Sequence, residues 1–239
     1  VKYEDMLCLT FTNRAAREMT NRIQKVVGGD FSELMVGNVH RFCSKFLFEQ
    51  GRIPADSAII DDEEAVSIIA DYRNEDEEGV TRDFNRYKGY QTIIFFQHFI
   101  YQMENQHPWK YYLHPESFTD DDREAVKHIC ASQKIEYDEQ AVVNIYHHAQ
   151  EYMDEANAPG LDGKTADRIR VLLWKMYYAN CYARYKEENH LFDFEDLLLY
   201  TYDIYRSDPT CKRYQWIQVD EVQDLNGMQL AIIDLLTAE

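Results

Sequence analysis

Near the end of the chain, a short apolar run, Trp216-Ile217-Gln218-Val219, leads into Asp220-Glu221-Val222-Gln223-Asp224. Paired carboxylates directly after a strand can do specific chemistry. A magnesium ion prefers oxygen ligands and keeps several waters, so one carboxylate commonly holds it beside substrate phosphates. The neighbouring carboxylate can orient or deprotonate an attacking water. Gln223 has both a donor and an acceptor, suited to sensing a γ-phosphate or a positioned water. Acids after a strand also serve simply to solvate a turn or cap a helix, and a lone Asp-Glu pair does not choose between the two. Nucleotide chemistry would also need a phosphate-binding loop. Gly163-Lys164-Thr165 has the ending of one, but the required glycine five residues earlier is Ala158, and Pro159 replaces the expected apolar strand. This segment reads as a turn and a helix cap, and the chain holds no phosphate cradle.

The elements that must position these residues alternate at both ends of the chain. Met6 to Phe11 is an apolar run and reads as a buried strand. Thr12-Asn13 offers capping side chains, and Ala15, Ala16, Met19 and Ile23 then recur at helical spacing up to Gly28-Gly29. Leu34 to Gly37 predicts a second strand and His40 to Glu49 a second helix. Thr165 can cap a long helix reaching about Glu188, and Asp193 can cap another through Leu197, Leu198 and Leu199. A strand at 216–220 and a helix from about Met228 complete the order. Strand–helix alternation of this kind predicts an α/β fold with a parallel sheet, in which ligands bind beyond the carboxyl ends of the strands.

Between these ends the texture changes. From about residue 58 to 164 the sequence is acidic, aromatic and helical in pattern, and its strongest breaker cluster is Ala156 to Gly163. It reads as a helical insertion, giving three segments: 1–57, 58–164 and 165–239. The net charge of −18 argues against generic nucleic-acid affinity, which usually leaves a basic footprint. The charge is uneven, however. Residues 1–50 hold 7 Lys/Arg and 6 Asp/Glu, so they are the better place for any nucleic-acid surface. Five scattered cysteines without a CxxC pair read as reduced thiols in a cytoplasmic protein. There is no apolar run of about 18 residues, which predicts no membrane span.

Three further segments turn the carboxylate motif into a family resemblance. Leu9 to Met19, which includes Thr10-Phe11-Thr12-Asn13-Arg14, resembles motif Ia of the UvrD/PcrA/Rep group of superfamily 1 DNA helicases. Val36 to Phe42 resembles the next motif of that group. Phe192-Asp193-Phe194-Glu195-Asp196-Leu197-Leu198 resembles the segment preceding motif II, and Val219 to Asp224 resembles motif II itself. The four occur in the family's order. Ile59 to Glu64 resembles the start of the family's inserted helical subdomain. Two departures stand out: Asn38-Val39-His40 replaces the usual Thr-Phe-His, and Arg14 replaces a common lysine.

The resemblance implies a RecA-like motor domain with a helical inserted subdomain, working on ATP as substrate with magnesium. It implies that Asp220 coordinates the metal, that Glu221 beside it is the catalytic base, and that Gln223 couples nucleotide state to DNA. Phe11 and Phe194 would form base pockets on single-stranded DNA, with Asn13, Arg14 and His40 as strand or backbone contacts. Each also has a plainer reading. Phe11 suits a core position at a strand end. Phe194 suits a staple between its helix and the sheet, and His40 a hydrogen-bonder at a helix start. Asp193 and Asp196 suit capping and first-turn charge.

By resemblance the intact protein would translocate 3′ to 5′ and unwind duplex at a junction, with its second motor domain and P-loop segment as partners. A chain beginning with Val and lacking the P-loop is expected to be a fragment, inactive toward ATP by itself. Two alternatives are the motor portion of a RecB/AddA-type helicase–nuclease subunit and a non-catalytic DNA-binding module.

Overall fold

The computed structural model describes residues 1–109 and 114–238. They form two compact units, Val1–Ser57 with Phe194–Glu239, and Ala58–Asp193.

The first unit begins with strand β1 (Met6–Thr10), whose Leu7 and Leu9 are fully buried. Helix α1 (Asn13–Val27) follows, and the Thr12 side chain caps it by accepting from the Ala15 N–H at 3.1 Å. Gly28 ends α1 at φ 62°, the left-handed conformation that glycine adopts without a Cβ penalty. Strand β2 (Met35–Asn38) and helix α2 (Val39–Glu49) come next. Asn38 caps α2 by accepting from the Arg41 N–H at 2.8 Å.

The second unit opens with a short strand β3 (Ala58–Ile59). Helix α3 (Asp62–Arg73) starts on a capping box in which Asp61 and Glu64 satisfy each other's backbone N–H groups. Helix α4 (Glu77–Arg82) packs on α3 and on α5 (Phe84–Glu104), and α3, α5, α6 (Asp120–Gln133) and α7 (Glu139–His147) surround the long helix α8 (Gly163–Glu188). Ile169, Leu172, Leu173, Met176 and Ala179 on α8 recur at helical spacing and pack into a core with Phe96, Phe99, Ile129 and Ile145. Strand β4 (Leu191–Phe192) then pairs in parallel with β3. Because α8 spends its apolar face on α3, α5, α6 and α7, residues 165–193 belong to this unit. The segment boundary expected at 165 falls inside α8, and the chain re-enters the first unit at Phe194. Asp162, and not Thr165, caps α8: its carboxylate accepts from the Thr165 N–H at 3.0 Å.

Two buried ion pairs organise the second unit. Asp193 accepts from Lys186 at 2.9 Å, from the Tyr182 hydroxyl at 2.7 Å, and lies 2.9 Å from His98 Nε2. Burial alone would raise its carboxyl, but His98 and Lys186 outweigh that and hold it well below the usual carboxylate range. Lys175 pairs with Asp122 and donates to the Ser117 carbonyl.

Back in the first unit, helix α9 (Phe194–Ser207) leads to strand β5 (Trp216–Val219) and helix α10 (Gly227–Leu236). The sheet order is β2-β1-β5, all parallel, with Leu9 opposite both Gly37 and Val219. Parallel pairing brings the carboxyl ends of all three strands to one edge. The five cysteines are free and buried. Among the described residues, no helix is long and apolar enough to cross a membrane.

Candidate functional site

Every residue singled out by the sequence follows the end of a strand or begins a helix of the first unit. Asp220 continues β5, and its N–H donates to the Leu9 carbonyl at 2.9 Å, which fixes it at the carboxyl end of the sheet. Asp220 Oδ1 accepts from the Glu221 N–H at 3.1 Å. Glu221 is left-handed, at φ 55° and ψ 41°. For a residue with a Cβ this conformation costs roughly 1–2 kcal/mol. It turns the chain sharply out of the strand into a single 3-10 turn, Val222–Asp224. Gln223 Nε2 then donates to Glu221 Oε2 at 2.5 Å, so the amide and the carboxylate form a pair. Asp220, Glu221, Gln223 and Asp224 are all exposed. Two adjacent, solvent-facing carboxylates are hard oxygen donors with room for retained waters, which suits magnesium held beside phosphates.

Across the same edge, Phe11 directly follows β1 and is 44% exposed. It is not a core residue, so its plainer reading fails. Asn13 begins α1, and its Oδ1 accepts from Asn38 Nδ2 at 3.1 Å, tying the end of β1 to the end of β2. Arg14 is exposed on the first turn of α1. His40 lies in the first turn of α2 and Phe194 begins α9; their rings meet edge-on at 5.5 Å and 70°. Phe194 remains 44% exposed and so staples little. Burial pushes the His40 imidazole below its ordinary value, partly offset by the Glu195 carboxylate.

The edge thus carries two kinds of chemistry: two carboxylates with an amide after β5, and two exposed phenyl rings with polar groups after β1 and at the starts of α2 and α9. Sequence reading missed two members. Asn38 both caps α2 and bonds Asn13; its type just before a helix was the available signal. Glu195 faces His40 electrostatically, a pairing that sequence separation conceals. Thr10 closes β1 fully buried, and its hydroxyl has no partner among the described residues.

Comparison with known proteins gives the family of the chain. Among relatives, the ATP-dependent DNA helicase SRS2 of Saccharomyces cerevisiae is 26% identical over 237 residues, 97% of this chain and 17% of that protein. The ATP-dependent DNA helicase PcrA of Staphylococcus aureus is 24% identical over 240 residues, 98% of this chain and 25% of that protein. A probable DNA helicase II homolog of Mycoplasma capricolum is 22% identical, covering 97% of this chain and 26% of its own length. The chain therefore spans a quarter or less of the first two relatives. The family model of the UvrD/REP helicase N-terminal domain matches residues 1–239, and the chain belongs to that family.

Proposed function

We propose that this chain carries the water-activating carboxylates and the strand-gripping rings of the first motor domain of an ATP-dependent DNA helicase. The observation that carries the reading is the shared sheet edge: Asp220 and Glu221 after β5, Phe11 after the neighbouring β1, and Phe194 against His40 after β2, all in one unit. In this reading Asp220 holds magnesium with ATP. The bound ion supplies charge neutralisation at the phosphates. Glu221, turned out of the strand by its left-handed backbone, takes a proton from the attacking water. Gln223, paired to Glu221, exchanges that contact for the nucleotide or its water and so reports nucleotide state.

Phe11 and Phe194 stack bases of a single strand. Each stack contributes on the order of 1–3 kcal/mol and tolerates any sequence, which lets an acidic protein hold DNA. Asn13, Arg14 and His40 meet the sugar–phosphate backbone. His40, kept neutral by burial, does so as a hydrogen-bonding group and not as a cation.

Strand β5 forms one edge of the sheet, and Trp216 on it is 52% exposed. That edge is already met from within the chain: the Tyr214 N–H donates to the Leu236 carbonyl and the Ala238 N–H to the Tyr214 carbonyl, a parallel bridge that starts a further strand there. With no cradle among its 239 residues, the chain alone turns over no ATP. Strand displacement from duplexes with a 3′ or a 5′ single-stranded tail tests the function in the protein expressed from its complete gene. Magnesium- and ATP-dependent displacement on 3′ tails is expected. Absence of both displacement and DNA-stimulated ATP turnover would count against the reading.

A further inference from the structure

The second unit is strongly acidic: residues 58–193 hold 27 Asp/Glu against 14 Lys/Arg. Within it, a cavity of about 630 Å³ bordered by α3, α5 and α8 has the opposite character. Arg73 and Arg86 both pair with Glu75, at 2.9 and 2.5 Å, so two guanidinium groups share one carboxylate. The Tyr90 hydroxyl also donates to Glu75, at 2.5 Å. These bonds hold the Glu75 carboxyl down to about 2, so it stays ionised and keeps both arginines ordered. The Arg73 guanidinium lies over the rings of Tyr90 and Tyr178, at 5.4 and 5.2 Å.

Helix α8 supplies the other wall. Its core face is spent inside the unit, yet it carries a second apolar face. Val171 is 62% exposed and Trp174 is 43% exposed. Trp174 stacks on Tyr178 at 5.5 Å and 16°. Further along, Tyr185 meets Tyr72 edge-on at 6.4 Å. From Val171 to Tyr178 this patch runs about 10 Å along the helix, and Cys181 and Tyr182 beyond it are buried. An exposed apolar patch bordering a cavity marks an interaction site, and the volume lies within the usual range for ligand pockets.

We propose that this groove binds a short segment of a partner protein bearing an aromatic or aliphatic anchor next to carboxylates. The anchor packs on Trp174 and Tyr178. The carboxylates meet Arg73 and Arg86, whose guanidinium groups each carry five N–H donors and are preordered by Glu75. Charge complementarity selects the occupant. Two arginines against one Glu make the pocket locally positive, enough for one or two acids. A nucleic-acid strand brings a charge with every phosphate into a unit with 13 excess acids, and repulsion grows with each one. Trp, Tyr and Arg are also the residues that dominate protein–protein hot spots. The groove shares no residue with the carboxylate edge, so it stands or falls independently of ATP and DNA chemistry.

Selection of a random peptide display library on the purified protein tests the proposal. The winning peptides are remade with a fluorescent label for affinity measurement. Expected is enrichment of acidic peptides carrying Trp, Phe or Leu. Trp174→Ala and Arg86→Glu should each weaken the winners about 10-fold or more. Trp174 is substantially exposed, so thermal unfolding should stay near the parent in Trp174→Ala; Arg86→Glu sets a second carboxylate against Glu75 and should lower the midpoint, so its affinity is read well below that midpoint. Amide exchange should slow in residues 171–178 when peptide is bound. No acidic enrichment, or undiminished binding by both variants, would overturn the proposal. So would competition by oligothymidylate for the same groove, which would assign it to nucleic acid.

Discussion

Phe11 and Phe194 carry the sharpest residue-scale expectation. Each is exposed at 44%, so replacing either with Ala removes little packing. Phe11→Ala and Phe194→Ala should each weaken oligothymidylate binding by about 1–3 kcal/mol. The thermal midpoint should stay near that of the parent. Fluorescence anisotropy reads the first quantity and calorimetry the second; a large loss of stability with unchanged affinity would return both rings to a packing role. The identities of these residues were legible from the sequence because residue type and order survive in a motif. Their exposure was not, since a phenylalanine after an apolar strand looks the same whether it points into the core or into solvent. The left-handed backbone of Glu221 was also invisible, because glutamate gives no signal for a positive φ.

At the scale of elements, caps decide where helices begin and end. Asp61 accepts from two N–H groups in its capping box, at 3.0 Å each. Asp61→Ala should destabilise the second unit by about 0.5–2 kcal/mol, measured by urea unfolding. Gly28 ends α1 with φ 62°, and a Cβ at that position would meet nothing within 4 Å. Gly28→Ala should therefore cost roughly 1–2 kcal/mol, purely through backbone conformation. A neutral outcome would mean that the end of α1 rearranges freely. Strands β1, β2 and β5 and helices α1, α2, α9 and α10 were all legible within a few residues, because their apolar periodicity agrees with their capping residues. The start of α8 was displaced because Asp162 and Thr165 are both good capping types. In the fold Thr165 donates both its N–H and its hydroxyl to the Asp162 carboxylate, at 3.0 and 2.6 Å, so Asp162 is the cap and Thr165 its partner.

At the scale of the whole molecule, the chain divides into two units with different sources of stability. The second unit depends on buried charge. Asp193→Ala would leave Lys186 and His98 buried without their carboxylate, and should cost about 3–5 kcal/mol. Acid should also weaken this unit. Glu75 has its carboxyl lowered to about 2 in the folded state, against an unfolded value of about 4.3. The unfolded chain therefore binds the proton first. The stabilisation is fully present above about pH 4.3 and is lost as pH falls toward 2. Glu75→Gln should flatten that part of the pH–stability curve; a variant that keeps the full slope would show that other carboxylates produce it. The sequence revealed an acidic helical insertion but not its return point. Residues 165–193 look the same whether their apolar face packs on the sheet or among the helices of the insertion.

Glu221, next to Asp220 at the end of β5, is the residue on which water activation depends in the proposed function. Single-stranded DNA-stimulated ATP turnover by the protein expressed from its complete gene tests it most directly, with Glu221→Gln compared to the parent. The exchange keeps side-chain size and exposure, so folding and ATP binding should persist. Turnover should fall by about 10²–10⁴-fold if Glu221 takes the proton from water. Turnover within a few-fold of the parent would contradict the account and leave Glu221 as a residue that merely shapes the turn after β5.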